Sequence, residues 1–397
     1  MHARRQWLLR VLDSVPRGEL TLHLPDGAVR VIAGDQSGTR AELVLKRWTV
    51  LDAILIQGDI GFGEAFMAGD WETPDLIALM RFATENLAVF DAVTRRSRWL
   101  RALDWLRHHL LRNTLRRSRV NVHRHYDLGN DFYRLWLDDS MTYSGALFES
   151  EAMSLEAAQQ AKYARIVRRL QAPEGARLLE IGCGWGGFMA HAAEQGLQIA
   201  GVTLSTEQAA YARARLAAAG LSGQTDVQLR DYREVTGEFD GVVSIGMFEH
   251  VGEDYWRTYL ADVLAFLKPG ARAVIQSIFI REGRFERYRN GNDFLRQHIF
   301  PGGMLPTQPG FVALAEQAGL AVNDVFTFGH CYALTLEHWY QRFMAQLDAV
   351  RALGYDETFV RKWRFYLAAC AGMFRAGEIN LMQVELQRPA GFPAGRV

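Results

Sequence analysis

The chain has 397 residues, 49% apolar and 23% charged, with 45 basic and 45 acidic side chains; it is long enough for two cored domains and carries no net charge for general polyanion binding. Three cysteines (Cys183, Cys331, Cys370) without a CxxC pair, and no histidine cluster at zinc spacing, leave no basis for a disulfide framework or a structural metal and fit a reducing compartment. No run approaches the roughly 18 uncharged apolar residues of a membrane span.

The N-terminal stretch MHARRQWLLRVLDSV is basic but lacks the apolar core and cleavage site of a signal peptide, and reads as a short amphipathic helix. Residues 20–46 alternate apolar and polar around Pro25-Asp26-Gly27 and a second Gly-bearing turn, which predicts short antiparallel strands. The following stretch, RWTVLDAILIQGDIGFGEAFMAGDWETPDLIALMRFATENL, predicts helix, Gly-rich loop and helix, closing a small α+β domain over residues 1–92. Residues 93–120 predict a basic amphipathic linker helix. From Arg95 to Arg124 there are ten arginines against one acid, Asp104, interleaved with Trp99, Leu100, Leu103, Trp105 and Leu106. This pattern suits either a solvated basic face or a surface for anionic headgroups.

The remainder, residues 121–397, alternates strands and helices from residue 160 onward: ARLLEIG, a helix over 186–195, QIAGVTL, a helix over 205–219, DVQLRDY, FDGVVSIGMFEHV, a helix over 255–267 and ARAVIQSIFI. Strands separated by such helices predict an α/β, Rossmann-like, doubly wound and mostly parallel sheet.

The first of these strands runs into LLEIGCGWGGF, residues 178–188. A strand, a glycine turn and a helix let a ligand approach backbone amides closely. There is no phosphate loop of the GxxxxGK[ST] type. Gly182, Gly184 and Gly187 fit the dinucleotide GxGxxG frame, but the second strand ends in GVTLS without the acid that takes ribose hydroxyls. The acid is Glu180, before the turn, where it can orient an amino group and would repel a pyrophosphate. S-adenosylmethionine is therefore favoured over a dinucleotide. Thr203, Ser205, Glu207 and Gln208 are placed for ribose hydroxyls, and Asp231 and Tyr232 for an adenine; Ser205 also reads as a helix N-cap with Gln208 at N3.

With those residues in hand, the chain resembles the cyclopropane-fatty-acyl-phospholipid synthase family, which includes the mycolic acid cyclopropane synthases. The segments that carry the resemblance are HYDLGNDFYRLWLDDSMTYS (125–144), LLEIGCGWGGF, GVTLSTEQ, GMFEHVG (246–252), IFPGGMLP (299–306) and LAACAGMFRAGEINLMQVEL (367–386), with GFGEAFMAGDWETPDL (61–76) resembling the extra N-terminal domain of phospholipid-modifying members. The resemblance implies a class I methyltransferase that moves a methyl group from S-adenosylmethionine to the double bond of an unsaturated acyl chain in membrane phospholipid. It completes the expected cofactor contacts with Tyr126, Tyr143, Ser144, Cys183, Leu204 and Ile245. The carbocation left by methylation can be stabilised by aromatic faces, and Tyr126, Phe132, Tyr133, Tyr143, Phe248, Phe328, Tyr332 and Tyr340 lie near the motifs.

The resemblance also implies a bound bicarbonate as base, with Glu249 and Tyr332 in its constellation, a backbone contact from Ile278, and His250 as an orienting or structural neighbour. Two positions depart from the family pattern. Gly145 stands where many members have cysteine, and Gln276 where many have histidine. The base site is therefore expected to be altered, with a methyl-branched chain as the alternative to a cyclopropane. The expected setting is cytoplasmic, on the inner face of an anionic membrane, with a homodimer by resemblance and no nucleic acid. The rivals are a non-lipid methyltransferase and a catalytically silent lipid-binding protein.

Overall fold

The computed structural model of the protein describes residues 2–94 and 128–391; the expected linker helix, its arginines and Tyr126 lie outside the described residues. Within them the chain forms two compact units, one from residues 2–94, 286–301 and 336–378, the other from 128–285, 302–335 and 379–391.

The first unit begins with α1 (His2–Leu12), β1 (Arg17–His23), β2 (Val29–Ala33) and β3 (Gln36–Leu45), followed by α2 (Thr49–Gln57), α3 (Asp59–Met67), β4 (Trp71–Glu72), α4 (Leu76–Glu85) and α5 (Leu87–Thr94). Its sheet order is β2-β1-β3-β4. The expectation of antiparallel strands holds for β1 and β2, but β3 runs parallel to β1. The chain crosses the start of β1, where the Gly34 amide donates to Gly18 and the Gln36 amide to Pro16 at 2.9 and 3.0 Å, and so returns on the far side of β1.

The expected Gly-rich loop is instead the helix α3. Its glycines serve close approach: a Cβ at Gly61 would stand 2.3 Å from the Ala53 carbonyl oxygen, and one at Gly63 would stand 2.3 Å from the Phe294 ring. Trp71 is fully buried, stacks on Phe62 at 4.2 Å and donates its indole N–H to the Phe62 carbonyl at 2.8 Å.

The second unit carries α6 (Asn130–Arg134), α7 (Leu155–Leu170), β5 (Arg177–Ile181), α8 (Gly187–Glu194), β6 (Gln198–Thr203), α9 (Thr206–Ala218), β7 (Thr225–Leu229), β8 (Phe239–Ile245), α10 (Phe248–Val251), α11 (Trp256–Phe266), β9 (Leu267–Ile280), β10 (Ala321–Thr327) and β11 (Ile379–Gln387). The sheet order is β10-β11-β9-β8-β5-β6-β7. β5 to β9 pair in parallel, and β11 is inserted antiparallel between β9 and β10. This is the expected Rossmann-like sheet. One face packs Tyr163, Ile166 and Leu170 of α7 with Phe188, Met189 and Ala192 of α8 and Ala209, Ala212 and Leu216 of α9 over Leu178, Ile199 and Val243. Burial of an aliphatic side chain of this kind contributes roughly 1.5–3 kcal/mol.

The last third of the chain adds α12 (Glu282–Asn290), α13 (Phe294–His298), α14 (Gln308–Gln317), α15 (Gly329–Ala345), α16 (Leu347–Ala352) and α17 (Glu357–Arg375). The sequence-based boundary assigned all of it to one domain with the sheet, whereas α13, α16 and α17 pack with the first unit. The cause is the apolar face of α17: Trp363, Phe365, Leu367, Ala371 and Phe374 are buried, and Phe365 meets Phe66 at 6.0 Å and Phe294 at 4.5 Å.

Candidate active site

β5 ends at Ile181 and the chain turns through Gly182, Gly184 and Gly186, with φ of 81°, 52° and 79°. That left-handed backbone suits glycine. The Gly182 and Cys183 amides both donate to the Val202 carbonyl at 2.9 and 3.0 Å, so the turn is locked to the neighbouring strand. At Gly182 a Cβ would stand 2.3 Å from the Met247 side chain, whereas one at Gly184 would meet no atom within 4 Å beyond its chain neighbours, so there is open space on that side of the turn. The Cys183 side chain faces the core beside Phe188 and Met189, so only its backbone belongs to the turn.

Glu180, immediately before the turn, is 3% exposed and its Oε2 has no hydrogen-bond partner. A carboxylate kept dry without a donor is costly. It is suited to a cationic amino group supplied by a ligand. Its nearest counter-charge is Lys162 of α7, fully buried, whose ammonium donates to Ser144 Oγ at 2.7 Å. Burial pushes the Glu180 carboxyl up and the Lys162 ammonium down, and their mutual attraction opposes both shifts.

The loop from Asp138 to Ala146 is held from beneath by buried polar groups. Asp138 accepts from the Ser140 amide and hydroxyl, Ser140 and Thr142 share a hydrogen bond, and Thr142 reaches the Tyr163 hydroxyl at 2.5 Å. Gln159 donates to the Ser144 carbonyl at 3.0 Å. Met141 sits at φ 54°, a strained value for a side chain of its size. Tyr143 packs beside Tyr133 and Trp136, each at 5.5 Å, and Tyr133 lies 5.0 Å from Trp185 of the glycine turn.

Along the second strand, Ser205 caps α9 by accepting from the Gln208 amide at 3.2 Å, as its sequence position suggested, while the Thr203 hydroxyl donates to the Gln208 side chain at 2.9 Å. Leu204 and Ile245 are half-buried at the ends of β6 and β8. Asp231 is almost fully buried and bound at both carboxylate oxygens by the Arg233 guanidinium, at 2.8 and 2.7 Å. Tyr232 packs on Tyr259 at 5.3 Å, with its own hydroxyl unsatisfied.

The residues singled out for the base site gather at the ends of β8 and β9. Glu249 is 6% exposed, accepts from the Ser277 hydroxyl at 3.0 Å and from the Ile278 backbone, and is pushed up to about 7 by burial. Burial also pushes His250 down to about 4. Gln276, 1% exposed, donates to the Gly145 carbonyl at 3.2 Å and accepts from Gln383 at 3.0 Å; Gln383 is held by Arg165 at 2.7 Å, and Arg165 by Asp324 at 3.1 Å. The two departures from the family pattern are thus bonded to each other. A Cβ at Gly145 would stand 2.7 Å from the Tyr332 ring and from Leu381. Phe248, among the aromatics proposed for a cation, is core: it is fully buried, stacked on Trp256 at 5.3 Å and edge-on to Phe311 at 4.7 Å.

Sequence reasoning missed Lys162, Gln159, Ser277, Gln383 and Arg165. Lysine and arginine on a helix read as solvated, and only the tertiary fold turns them inward. Among the described residues no helix is long and apolar enough to cross a membrane, and no group of three or more His, Cys, Asp or Glu side chains could hold a metal.

The family described as mycolic acid cyclopropane synthetase matches residues 113–384. The tuberculostearic acid methyltransferase UfaA1 of Mycobacterium tuberculosis is 37% identical over 345 residues, covering 83% of this chain and 79% of that protein. The cyclopropane-fatty-acyl-phospholipid synthase of Escherichia coli K12 is 36% identical over 355 residues, 88% of each. The crystal structure of the mycolic acid cyclopropane synthase CmaA1 complexed with SAH and CTAB superposes with a TM-score of 0.64 at 32% identity, over 68% of this chain and 98% of that one.

Proposed function

The chain belongs to the mycolic acid cyclopropane synthetase family of S-adenosylmethionine-dependent methyltransferases, and from that premise we propose that it methylates the double bond of an unsaturated acyl chain carried by membrane phospholipid. The observation that carries the cofactor side is the buried Glu180 carboxylate, whose Oε2 has no hydrogen-bond partner, directly before a glycine turn with open space at Gly184, a fit for a ligand with a cationic amino group. When bound, S-adenosylmethionine supplies an electrophilic methyl on a sulfonium.

The residues of this chain do the rest. Glu180 would take the amino group; in the turn the Gly182, Cys183 and Gly186 amides are already given to the Val202 and Cys183 carbonyls, which leaves the stretch at Gly184 to face the adjoining carboxylate. Thr203 and Gln208 at the end of β6 are placed for ribose. The loop 138–146, pinned by Lys162 and Gln159, presents Tyr143 to the reacting centre and keeps water away from it.

The residues present do not suit a bound bicarbonate. The cysteine position is Gly145, the Gln276 amide is taken by Gly145 and Gln383, and the Ile278 backbone hydrogen bond is given to Glu249. A second reading of the product rests on the same pair: with residue 276 tied back, the proton can leave from a neighbouring chain carbon and give a methyl-branched olefin in place of a ring. The test is incubation with labelled S-adenosylmethionine and vesicles of unsaturated phospholipid, followed by mass spectrometry and NMR of the released acids. Label in the acyl chains supports the reading, and a ring or an olefin signal separates the two products. Label confined to small amines or nucleic acid, or no transfer, refutes it.

A further inference from the structure

We propose that the enclosed trio of Asp138, Lys162 and Glu180 trades a proton for the amino group of the cofactor. Glu180 holds that proton before the cofactor binds and gives it up as the cationic amino group arrives, with Lys162 as the positioning residue that supplies the fixed counter-charge. The inference rests on the S-adenosylmethionine reading and deepens it.

Three observations point to it. First, the enclosure is short of one positive charge. Asp138, Lys162 and Glu180 are 2%, 0% and 3% exposed, and with all three ionised two carboxylates face one ammonium. An uncompensated charge in a dry interior is costly, so a proton or a bound cation has to make up the difference. Second, hydrogen bonds decide which carboxyl takes the proton. Asp138 accepts from the Ser140 amide at 2.9 Å, from the Ser140 hydroxyl and from the Thr142 amide at 3.3 Å, an arrangement that favours its charged form. Glu180 Oε2 has no such donor. Third, Lys162 leaves that oxygen to a second cation. Its ammonium donates to Ser144 Oγ at 2.7 Å, which pins the loop 138–146, while Glu180 lies directly before the open space at Gly184.

Burial pushes the Glu180 carboxyl up to about 8, against the attraction of Lys162. The same burial pushes Lys162 down, against the attraction of Asp138 and then of Glu180. When the cofactor arrives, its cation and the newly ionised Glu180 offset one another at Lys162, so the proton that leaves is that of Glu180. The other titratable groups around the trio hold their state. Burial pushes the Tyr163 hydroxyl and the Cys183 thiol up and the His191 imidazole down, and Arg213 and Arg215 of α9 are bound to the Val227 and Ser140 carbonyls.

In the exchange the Glu180 O–H bond breaks, its proton passes to solvent and no electrons are transferred. Below about pH 8 the free protein carries the proton, so binding releases it and affinity rises with pH up to that point.

The experiment titrates S-adenosylhomocysteine into the full-length protein by calorimetry at about pH 6, 7 and 8.5, in pairs of buffers that differ in ionisation enthalpy, and repeats the series with Glu180→Gln and Lys162→Met. The parent is expected to release about one proton at the two lower pH values, with affinity climbing about tenfold per pH unit and levelling off beyond about 8. Glu180→Gln should bind more weakly, with no release and a flat pH profile. Lys162→Met, deprived of the fixed counter-charge, should level off at a higher pH than the parent. Parent binding that releases no proton and is flat with pH would overturn the proposal while leaving the S-adenosylmethionine reading intact. Undiminished release from Glu180→Gln, or a Lys162→Met profile that levels off where the parent does, would overturn it equally. If Lys162→Met does not fold, the parent and Glu180→Gln titrations still decide. Absence of binding by the parent at every pH would overturn both the proposal and the reading it rests on.

Discussion

Replacing Gly145 by alanine tests whether the shape of the base site is set by a missing side chain. The added Cβ would stand 2.7 and 2.9 Å from two carbons of the Tyr332 ring and 2.7 Å from Leu381 Cδ2. Carbon contacts are comfortable from about 3.5 Å, so both neighbours must retreat by roughly 0.8 Å. Neither has room: Leu381 is 1% exposed and Tyr332 9%, and the backbone at residue 146 is tied to Thr335, one turn along the same helix as Tyr332, at 3.0 Å. Overpacking of this kind costs about 1–3 kcal/mol.

Calorimetry should therefore show Gly145→Ala melting lower by about 2–10 °C. Turnover should fall as well, because Tyr332 is driven from its place. Leu381→Ala alone costs about 2–5 kcal/mol, yet it removes one of the two obstacles, so the double variant should be more stable than the sum of the single losses by about 1 kcal/mol or more. A Gly145→Ala protein with unchanged melting and turnover, or a double variant that is strictly additive, would refute the argument.

Three further outcomes are expected. Glu180→Gln should weaken S-adenosylhomocysteine binding by about 10–100-fold in a calorimetric titration, because a charge-assisted hydrogen bond is lost; unchanged affinity would remove Glu180 from the cofactor site. For Glu249, the folded pKa of about 7 lies above the ordinary 4.5, so between those values the folded protein holds a proton the unfolded chain has released. Stability from this group is fully present below about pH 4.5 and is lost as pH rises through 7. Glu249→Gln should then gain on the parent by about 1–3 kcal/mol at pH 8 relative to pH 4, read from urea unfolding at both pH values. Charge reversal of Arg95, Arg96 and Arg98 should weaken sedimentation with anionic vesicles, at about 1 kcal/mol per arginine, and unaltered sedimentation would discard that stretch as the lipid contact.

The parallel sheet was legible in the sequence because β5, β6, β8 and the second half of β9 are apolar runs separated by segments of helical length. Ser205 with Gln208 is the clearest helix start. The first unit was harder to read for a physical reason. Glycines in GDIGFG normally interrupt helices, but in α3 the lost propensity, about 1 kcal/mol per glycine, is offset by apolar packing that only a bare Cα allows against Ala53 and Phe294. At the candidate site, Glu180 stood out from its position at the end of β5, and Glu249 from the GMFEHVG motif that carries the resemblance. Lys162 did not, because nothing local distinguishes a lysine that will be wholly enclosed from one on a solvated face. Likewise Gln276 and Gly145 could be marked only as departures; that one donates to the carbonyl of the other depends on residues 131 positions apart meeting across the sheet edge.

The first unit draws on three separate stretches of chain, the last ending at residue 378. During synthesis the ribosome releases residues 2–94 long before α17 exists, so the aromatic face of Phe62, Phe66 and Trp71 has to wait through about 270 further residues for Phe365. In the interval that face is apolar surface without its native cover. A chain truncated before residue 357 should accordingly be a client for chaperones and a poor survivor in the cell, whatever the condition of its cofactor turn.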